Sequence, residues 1–367
     1  MRGALESFHQ EIRQLTEFLE AAIAEERLYP LLAQALVDSD DSIARDAITK
    51  FLNATTNKRK YTYAVSVISL YGALESFVRG LVERYLSAIS RLSGEVTNLP
   101  DRIAANHTAF SINYLVNVKD RKVNNDDTVD LVVARLAKCL AGADDFELNA
   151  NAFLMKGQNV NRDRIRQTAN ELGVLITPKR LIRTVAATKY FSDRDPSVLE
   201  TLSDEVAQAQ FVAVDAVTGA RNLIAHGVAE LIQIESPDIL LGYAAEMAAY
   251  CEAVTSIFEQ ESISHAIACD SVVPLSAPVR TYGNNIVCFA LRDGRIGVGD
   301  ILVLSLDDSM EPLRFSRIES LQVDGVDQAE VIGREGLNVG IRVTFRVTQH
   351  PNYCVLSEPA RQIIFSE

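Results

Sequence analysis

Apolar residues at helical spacing open the chain. Over residues 4–28, Leu5, Phe8, Ile12, Leu15, Phe18 and Leu19 share one side of a helix whose other side is charged. Pro30 marks a break, and residues 31–54 predict one or two shorter helices around the turn Asp38-Ser39-Asp40-Asp41. Residues 61–90 are apolar nearly all round, which predicts a central core helix with Glu75 in its middle. Residues 94–125 are mixed, with Pro100 and a polar turn at Lys119-Asp120-Arg121-Lys122 before Asn124-Asn125. The helix over 127–141 has acids in its first turn and Lys138 near its end, as the helix dipole favours, and Gly142 as its stop. Over 153–173, Asn161 is the expected N-cap, Ile165, Ala169 and Leu172 form one face, and Gly173 ends the helix. Leu199, Leu202, Val206, Phe211, Val214, Val217 and Ile224 predict one long helix over 199–226, closed by Gly227. Ser236-Pro237-Asp238 then starts a helix running to about residue 262.

The period changes after residue 270. Ile286–Ala290, 301–304, 317–321 and 339–347 are short alternating or apolar segments. Gly283-Asn284-Asn285, Asp293-Gly294, Asp307-Asp308 and Asp324-Gly325 separate them as turns. Short strands at this spacing predict a small β-barrel. The expected fold is therefore multidomain α and β: an all-α helical bundle over 1–268, then a small all-β barrel over 269–367, with the join near Pro274–Pro278.

Composition narrows the function classes. With 48% hydrophobic residues over 367 positions the chain can bury a large core. It has no run of eighteen apolar residues, which predicts no membrane span, and its charged start does not resemble a signal peptide. Cys139, Cys251, Cys269, Cys288 and Cys354 are scattered, without a CxxC pair. That pattern predicts reduced thiols in a cytoplasmic protein. A net charge of −13 makes the chain a poor nonspecific nucleic-acid binder, so any RNA must meet a local basic site or a structured partner. His9, His107, His226, His265 and His350 lack metal-ligand spacing, so no metal is expected. There is no GxxxxGK[ST] phosphate loop and no Ser or Cys nucleophile motif, and no cofactor is expected.

The candidate chemistry lies in Ala220-Arg221-Asn222-Leu223-Ile224-Ala225-His226-Gly227, a polar cluster within an apolar helical run. Asn222 and His226 stand at i and i+4 on one helix face, and the long Arg221 side chain can sweep onto it. Arginine presents a planar fork to phosphate, and histidine moves protons near neutral pH. Metal-free RNA cleavage needs a base for the 2′-hydroxyl, an acid for the leaving 5′-oxygen and positive charge on the phosphorane. One histidine cannot be both acid and base at once, whereas two copies across a symmetric dimer can. A helix C-terminus suits a cationic proton donor or charge stabiliser better than a resting base.

Glu75 has two readings, an interhelical salt bridge or a residue that orients Arg221 or His226. The basic residues Arg162, Arg164 and Arg166 with Lys156, then Lys179, Arg180 and Arg183, are either a solvated face or contacts to RNA phosphates. Lys58-Arg59-Lys60 carries the same two readings.

Arg221-Asn222-Leu223-Ile224-Ala225-His226-Gly227 resembles the R-x4-H signature of HEPN domains. Leu70-Tyr71-Gly72-Ala73-Leu74-Glu75-Ser76-Phe77 is similar to the first core helix of the RiboL-PSP-HEPN branch. Asn159-Val160-Asn161 leading to Glu171-Leu172-Gly173-Val174 resembles that branch's Asn-containing segment and the short helix after it. The likeness covers roughly residues 1–265. It implies an all-α bundle that dimerises with the two motifs facing each other across a cleft. Many members are metal-independent endoribonucleases of toxin–antitoxin, abortive-infection and other antiviral systems. By this likeness Arg221 and His226 carry cleavage and Asn222 supports it; the other reading is an inactive HEPN scaffold that binds RNA or a protein. The implied partners are RNA (tRNA, mRNA or ribosomal), a second copy as a homodimer, and an antitoxin or defence-system protein. Position 228 is Val, so the tyrosine modified by nucleotidyltransferase antitoxins in a sister branch is lacking. In the strand region, Gly294–Ile301, Arg317–Val323 and Gly336–Ile341 resemble the second-domain barrel of translational GTPases such as elongation factor Tu.

Overall fold

The computed structural model describes residues 1–38, 42–120, 127–154, 159–226, 234–306 and 311–365. The expectations at 39–41, Arg121-Lys122, Asn124-Asn125, Lys156, Gly227, Val228 and Asp307-Asp308 lie outside them.

Helices come first: α1 (Arg2–Glu26), α2 (Tyr29–Asp38), α3 (Ser42–Ser93), α4 (Asp101–Lys119), α5 (Val129–Ala141), α6 (Ala150–Leu154), α7 (Arg162–Glu171), α8 (Pro178–Ile182), α9 (Val185–Arg194), α10 (Ser197–Glu200), α11 (Asp204–Gln208), α12 (Ala213–Ala225) and α13 (Pro237–Ala268). Helix α3, 52 residues long, is the axis of the bundle, with α1, α12 and α13 packed along it. Its 57–93 part has the length and apolarity of a membrane span, but much of it is buried against these neighbours as a core helix. Phe8, Ile12, Leu15 and Leu19 of α1 are buried as their spacing predicts, whereas Phe18 is exposed.

Caps set many of the ends. Asn161 Oδ1 accepts from the Arg164 N–H at 2.8 Å and starts α7. Gly142 and Gly173 take left-handed φ values of 67° and 82° after α5 and α7, where only glycine is free of strain. Ser236 caps α13, which runs on to Ala268. The single helix expected over 199–226 is instead α10, α11 and α12. Ser203 accepts from the Val206 N–H and starts a new helix. Phe211 then takes a left-handed φ of 59°, unfavourable for a side-chain-bearing residue. The kink lets its ring stack edge-on between Phe191 and Tyr250, each at 5.3 Å, so aromatic burial overrides the helical period.

The strands follow: β1 (Val272–Pro274), β2 (Arg280–Tyr282), β3 (Ile286–Ala290), β4 (Arg295–Gly297), β5 (Ile301–Ser305), β6 (Leu313–Arg317), β7 (Ser320–Val323), β8 (Val326–Gln328), β9 (Glu330–Ile332), β10 (Asn338–Arg342) and β11 (Tyr353–Leu356), then helix α14 (Glu358–Phe365). Among the described residues every strand pairing is antiparallel, in sheets ordered β1-β11-β5-β6, β2-β3-β10-β7-β8 and β4-β9. Asp324-Gly325 joins β7 to β8 with both residues at positive φ, the tight hairpin turn this dipeptide favours.

The sheets do not close into one barrel. The segment 317–321 is not one strand: Ile318 and Glu319 are the crossing from the first sheet to the second, their N–H groups donating to Asp300 and Arg342. The first sheet has a second face to cover. Ile301, Val303, Leu313 and Leu356 join the helical core, while Leu302, Leu304, Tyr353 and Val355 join the core between the sheets. Strand β5 is therefore buried on both faces, which is why it reads Ile-Leu-Val-Leu without alternation. Ala360, Ile364 and Phe365 of α14 fold back into the helical core.

Candidate functional site

Three stretches far apart in sequence meet at Arg221. Its Nη1 donates to Asn159 Oδ1 at 3.2 Å and to Asn222 Oδ1 at 3.3 Å. Its guanidinium carbon lies 4.7 Å from the centre of the Tyr71 ring on α3, a cation–π stack. Tyr71 is itself fixed, since its hydroxyl accepts from the Val160 N–H at 3.1 Å. One turn before Arg221 on α12, the Thr218 hydroxyl donates to the Val160 carbonyl at 2.7 Å. The extended segment before α7 is thus stitched to α3 on one side and α12 on the other, and it delivers Asn159 to the arginine. Such fixing spares the guanidinium an ordering cost when it meets an anion.

His226 is the last residue of this arrangement. It caps the C-terminal end of α12, its N–H donating to the Asn222 carbonyl at 3.0 Å. The residue is exposed, and among the described residues its ring makes no hydrogen bond. Arg221 and Asn222 are half-buried. The result is a pre-oriented cation on α12 and an exposed histidine at the C-terminal end of the same helix. Among the described residues no group of three or more His, Cys, Asp or Glu side chains stands together as a metal-ligand set.

Glu75 departs from its expected burial: it is exposed, and no hydrogen bond or ion pair joins it to Arg221 or His226 among the described residues. Helix α3 is apolar all round without being buried all round. Tyr61, Val65 and Ile68 are 73%, 51% and 52% exposed and follow one another at helical spacing, with Gly72 next on the same face. Leu223 of α12 is 54% exposed as well. Tyr71 sits between Ile68 and Glu75, so Arg221 lies at the edge of this apolar seam.

The basic cluster is mostly engaged within the fold. Arg162 binds the Asp215 carboxylate at 2.6 Å and the carbonyls of Gln208 and Gln210. Arg166 pairs with Asp163 at 2.7 Å and Lys179 with Asp204 at 3.0 Å. Arg180 is buried, bound to Glu261 at 2.7 Å and Gln260 at 2.9 Å. Arg183 is exposed, and Arg164 is buried. Lys58 and Arg59 pair with Glu25 and Glu26 at the end of α1. Sequence reasoning gave Asn159 and Tyr71 no role at the arginine. Their signal was present only as the family-like stretches that contain them.

The RiboL-PSP-HEPN family model matches residues 35–260, from α2 through most of α13. The chain belongs to the RiboL-PSP-HEPN family. HEPN domains generally bind RNA and often dimerise, and the family points to an RNase-like or nucleotide-related function. No curated protein and no solved structure matches the chain.

Proposed function

We propose that this HEPN protein is a metal-independent endoribonuclease that works as a symmetric dimer. The observation that carries the reading is the Arg221 guanidinium, held by Asn159, Asn222 and the Tyr71 ring, five residues before the exposed His226 at the end of the same helix. In the proposed reaction the 2′-hydroxyl attacks the adjacent phosphorus and the bond to the 5′-oxygen breaks. Arg221 neutralises the charge on the phosphorane. His226 protonates the departing 5′-oxygen, and His226 of the second copy takes the 2′-hydroxyl proton. The products are a 2′,3′-cyclic phosphate and a free 5′-hydroxyl.

The exposed seam of Tyr61, Val65 and Ile68 on α3, with Leu223 exposed on α12, supports the dimer, because a run of large exposed apolar side chains favours a covering partner. Its nearness to Tyr71 sets the two motifs close to the shared cleft. We assign the protein a cytoplasmic toxin or antiviral-defence role, with its activity restrained by an antitoxin or defence-system protein. Expression of wild type in a heterologous cell is expected to arrest growth, and expression of Arg221→Ala/His226→Ala is not. Equal growth with intact RNA in both would favour the alternative, a scaffold that binds RNA or protein without cutting.

A further inference from the structure

Among the basic residues read as candidates for phosphate contact, Arg164 stands apart. It is only 8% exposed. Its Nη1 donates to Gln167 Oε1 at 3.1 Å, and its Nη2 is buried with no hydrogen-bond partner among the described residues. Burial lowers the pKa of this guanidinium, and the Glu171 carboxylate opposes the shift. An arginine stays charged regardless, so a buried cation with a spare donor is costly unless something meets it. Arg164 lines a cavity of about 70 Å³ between α3, α6 and α7, together with Arg79, Glu75, Thr168 and Val160. Arg79 is exposed, and among the described residues it makes no ion pair.

We infer that this cavity is a phosphate subsite of the RNA track, in which Arg164 and Arg79 hold a phosphate about two nucleotides from the scissile one. The inference rests on the ribonuclease reading above. Position supports it: Val160 is a wall of the cavity and, through its backbone, the tie between Tyr71 and Thr218 beside Arg221. Arg79 follows Tyr71 by two helical turns, about 12 Å along α3, a distance that a strand covers in about two nucleotides. Size supports it too. At about 10–15 Å³ per water-sized occupant the cavity takes about five to seven such atoms, enough for one phosphate and too few for a nucleoside. The face of α3 also changes character here, from the apolar Tyr61, Val65 and Ile68 to the charged Glu75 and Arg79. Glu75 opposes an anion at the same mouth, so it limits the strength of the subsite and keeps the charge balanced when no RNA is bound.

The test is binding of a short, uncleavable 2′-O-methyl oligoribonucleotide to the full chain across a salt series, with cleavage of the unmodified oligonucleotide measured alongside. Arg79→Ala and Arg164→Gln are each expected to weaken binding about tenfold and to reduce the salt slope by about one. Glu75→Gln is expected to tighten it severalfold. Should Arg164→Gln fail to fold, the exposed Arg79→Ala decides alone. Wild-type affinity and salt slope in the arginine variants, with wild type binding and cutting RNA, would overturn the subsite and leave the ribonuclease reading intact. Weakened binding in those variants, with no cutting by wild type, would support a phosphate subsite and overturn the cleavage chemistry. No binding by wild type would overturn both.

Discussion

Arg221 is useful because its direction is set before any ligand arrives. The Asn159 and Asn222 Oδ1 atoms accept hydrogen bonds from its Nη1 and the Tyr71 ring supports its flat face. Lysine keeps the charge and loses both the planar fork and the stack. Arg221→Lys is therefore expected to lose about 10²–10³-fold in cleavage rate, close to the loss for Arg221→Ala, in single-turnover assays. Near-wild-type cleavage by Arg221→Lys would mean that charge alone suffices. A second residue-scale effect lies away from the site. Burial pushes His107 down to about 4, and the neutral ring accepts the Asn149 N–H at 3.0 Å. Its folded pKa lies below the unfolded 6.5, so its contribution is whole above that value and is lost as pH falls towards 4. The loss is on the order of 3 kcal/mol. Urea unfolding between those pH values should show this slope, and His107→Gln, which keeps an acceptor, should flatten it. The Arg221, Asn222 and His226 set was legible in sequence because its members are neighbours on one helix. Asn159 and Tyr71 were not, because only the folded path of α3 and α12 brings them to the arginine, and spacing says nothing across such separations.

Among the elements, α3 shows what a hydrophobicity pattern can and cannot say. Its all-round apolarity predicted a central helix, which it is, and also predicted burial on every side, including Glu75, which is exposed. Pattern reports which residues avoid water, and it cannot tell a core neighbour from a second molecule. Placing charge on the seam separates the two. Val65→Asp/Ile68→Asp is expected to give a folded monomer with an unchanged circular dichroism spectrum, a lower mass in light scattering and no RNA cleavage. A folded dimer would remove the seam from the interface. The same limit explains the region between residues 199 and 226. Its apolar spacing is compatible with one helix, but Ser203 offers a cap and Phe211 finds an aromatic slot by leaving the helix. The strand segments Ile286–Ala290 and 301–304 were legible because turn-forming residue types flank them in the sequence. The segment 317–321 was misread because a crossing between sheets leaves no break in composition.

At the scale of the whole molecule the helical and strand regions share a core. Ile301, Val303 and Leu356 from the strands, and Ile364 and Phe365 from α14, are buried with the residues of α1, α3 and α13. The Arg361 guanidinium ties α14 to Asp300 at 3.1 Å, and Arg2 lies over the Phe365 ring at 4.8 Å. The strand region is thus a covering layer of the bundle as much as a module of its own. Ile364→Ala is expected to cost about 2–5 kcal/mol and to move the helical and strand unfolding transitions together. Two separated transitions, with only the strand transition moved, would show that the regions fold independently.

Metal-independent chemistry at Arg221 and His226 can be tested directly. Wild type and Arg221→Ala/His226→Ala should be incubated with total RNA and with tRNA in EDTA, and the fragment ends identified. Wild type alone is expected to cut, leaving 2′,3′-cyclic phosphates and 5′-hydroxyls. Equal cutting by both proteins, or cutting that EDTA abolishes, would contradict that chemistry.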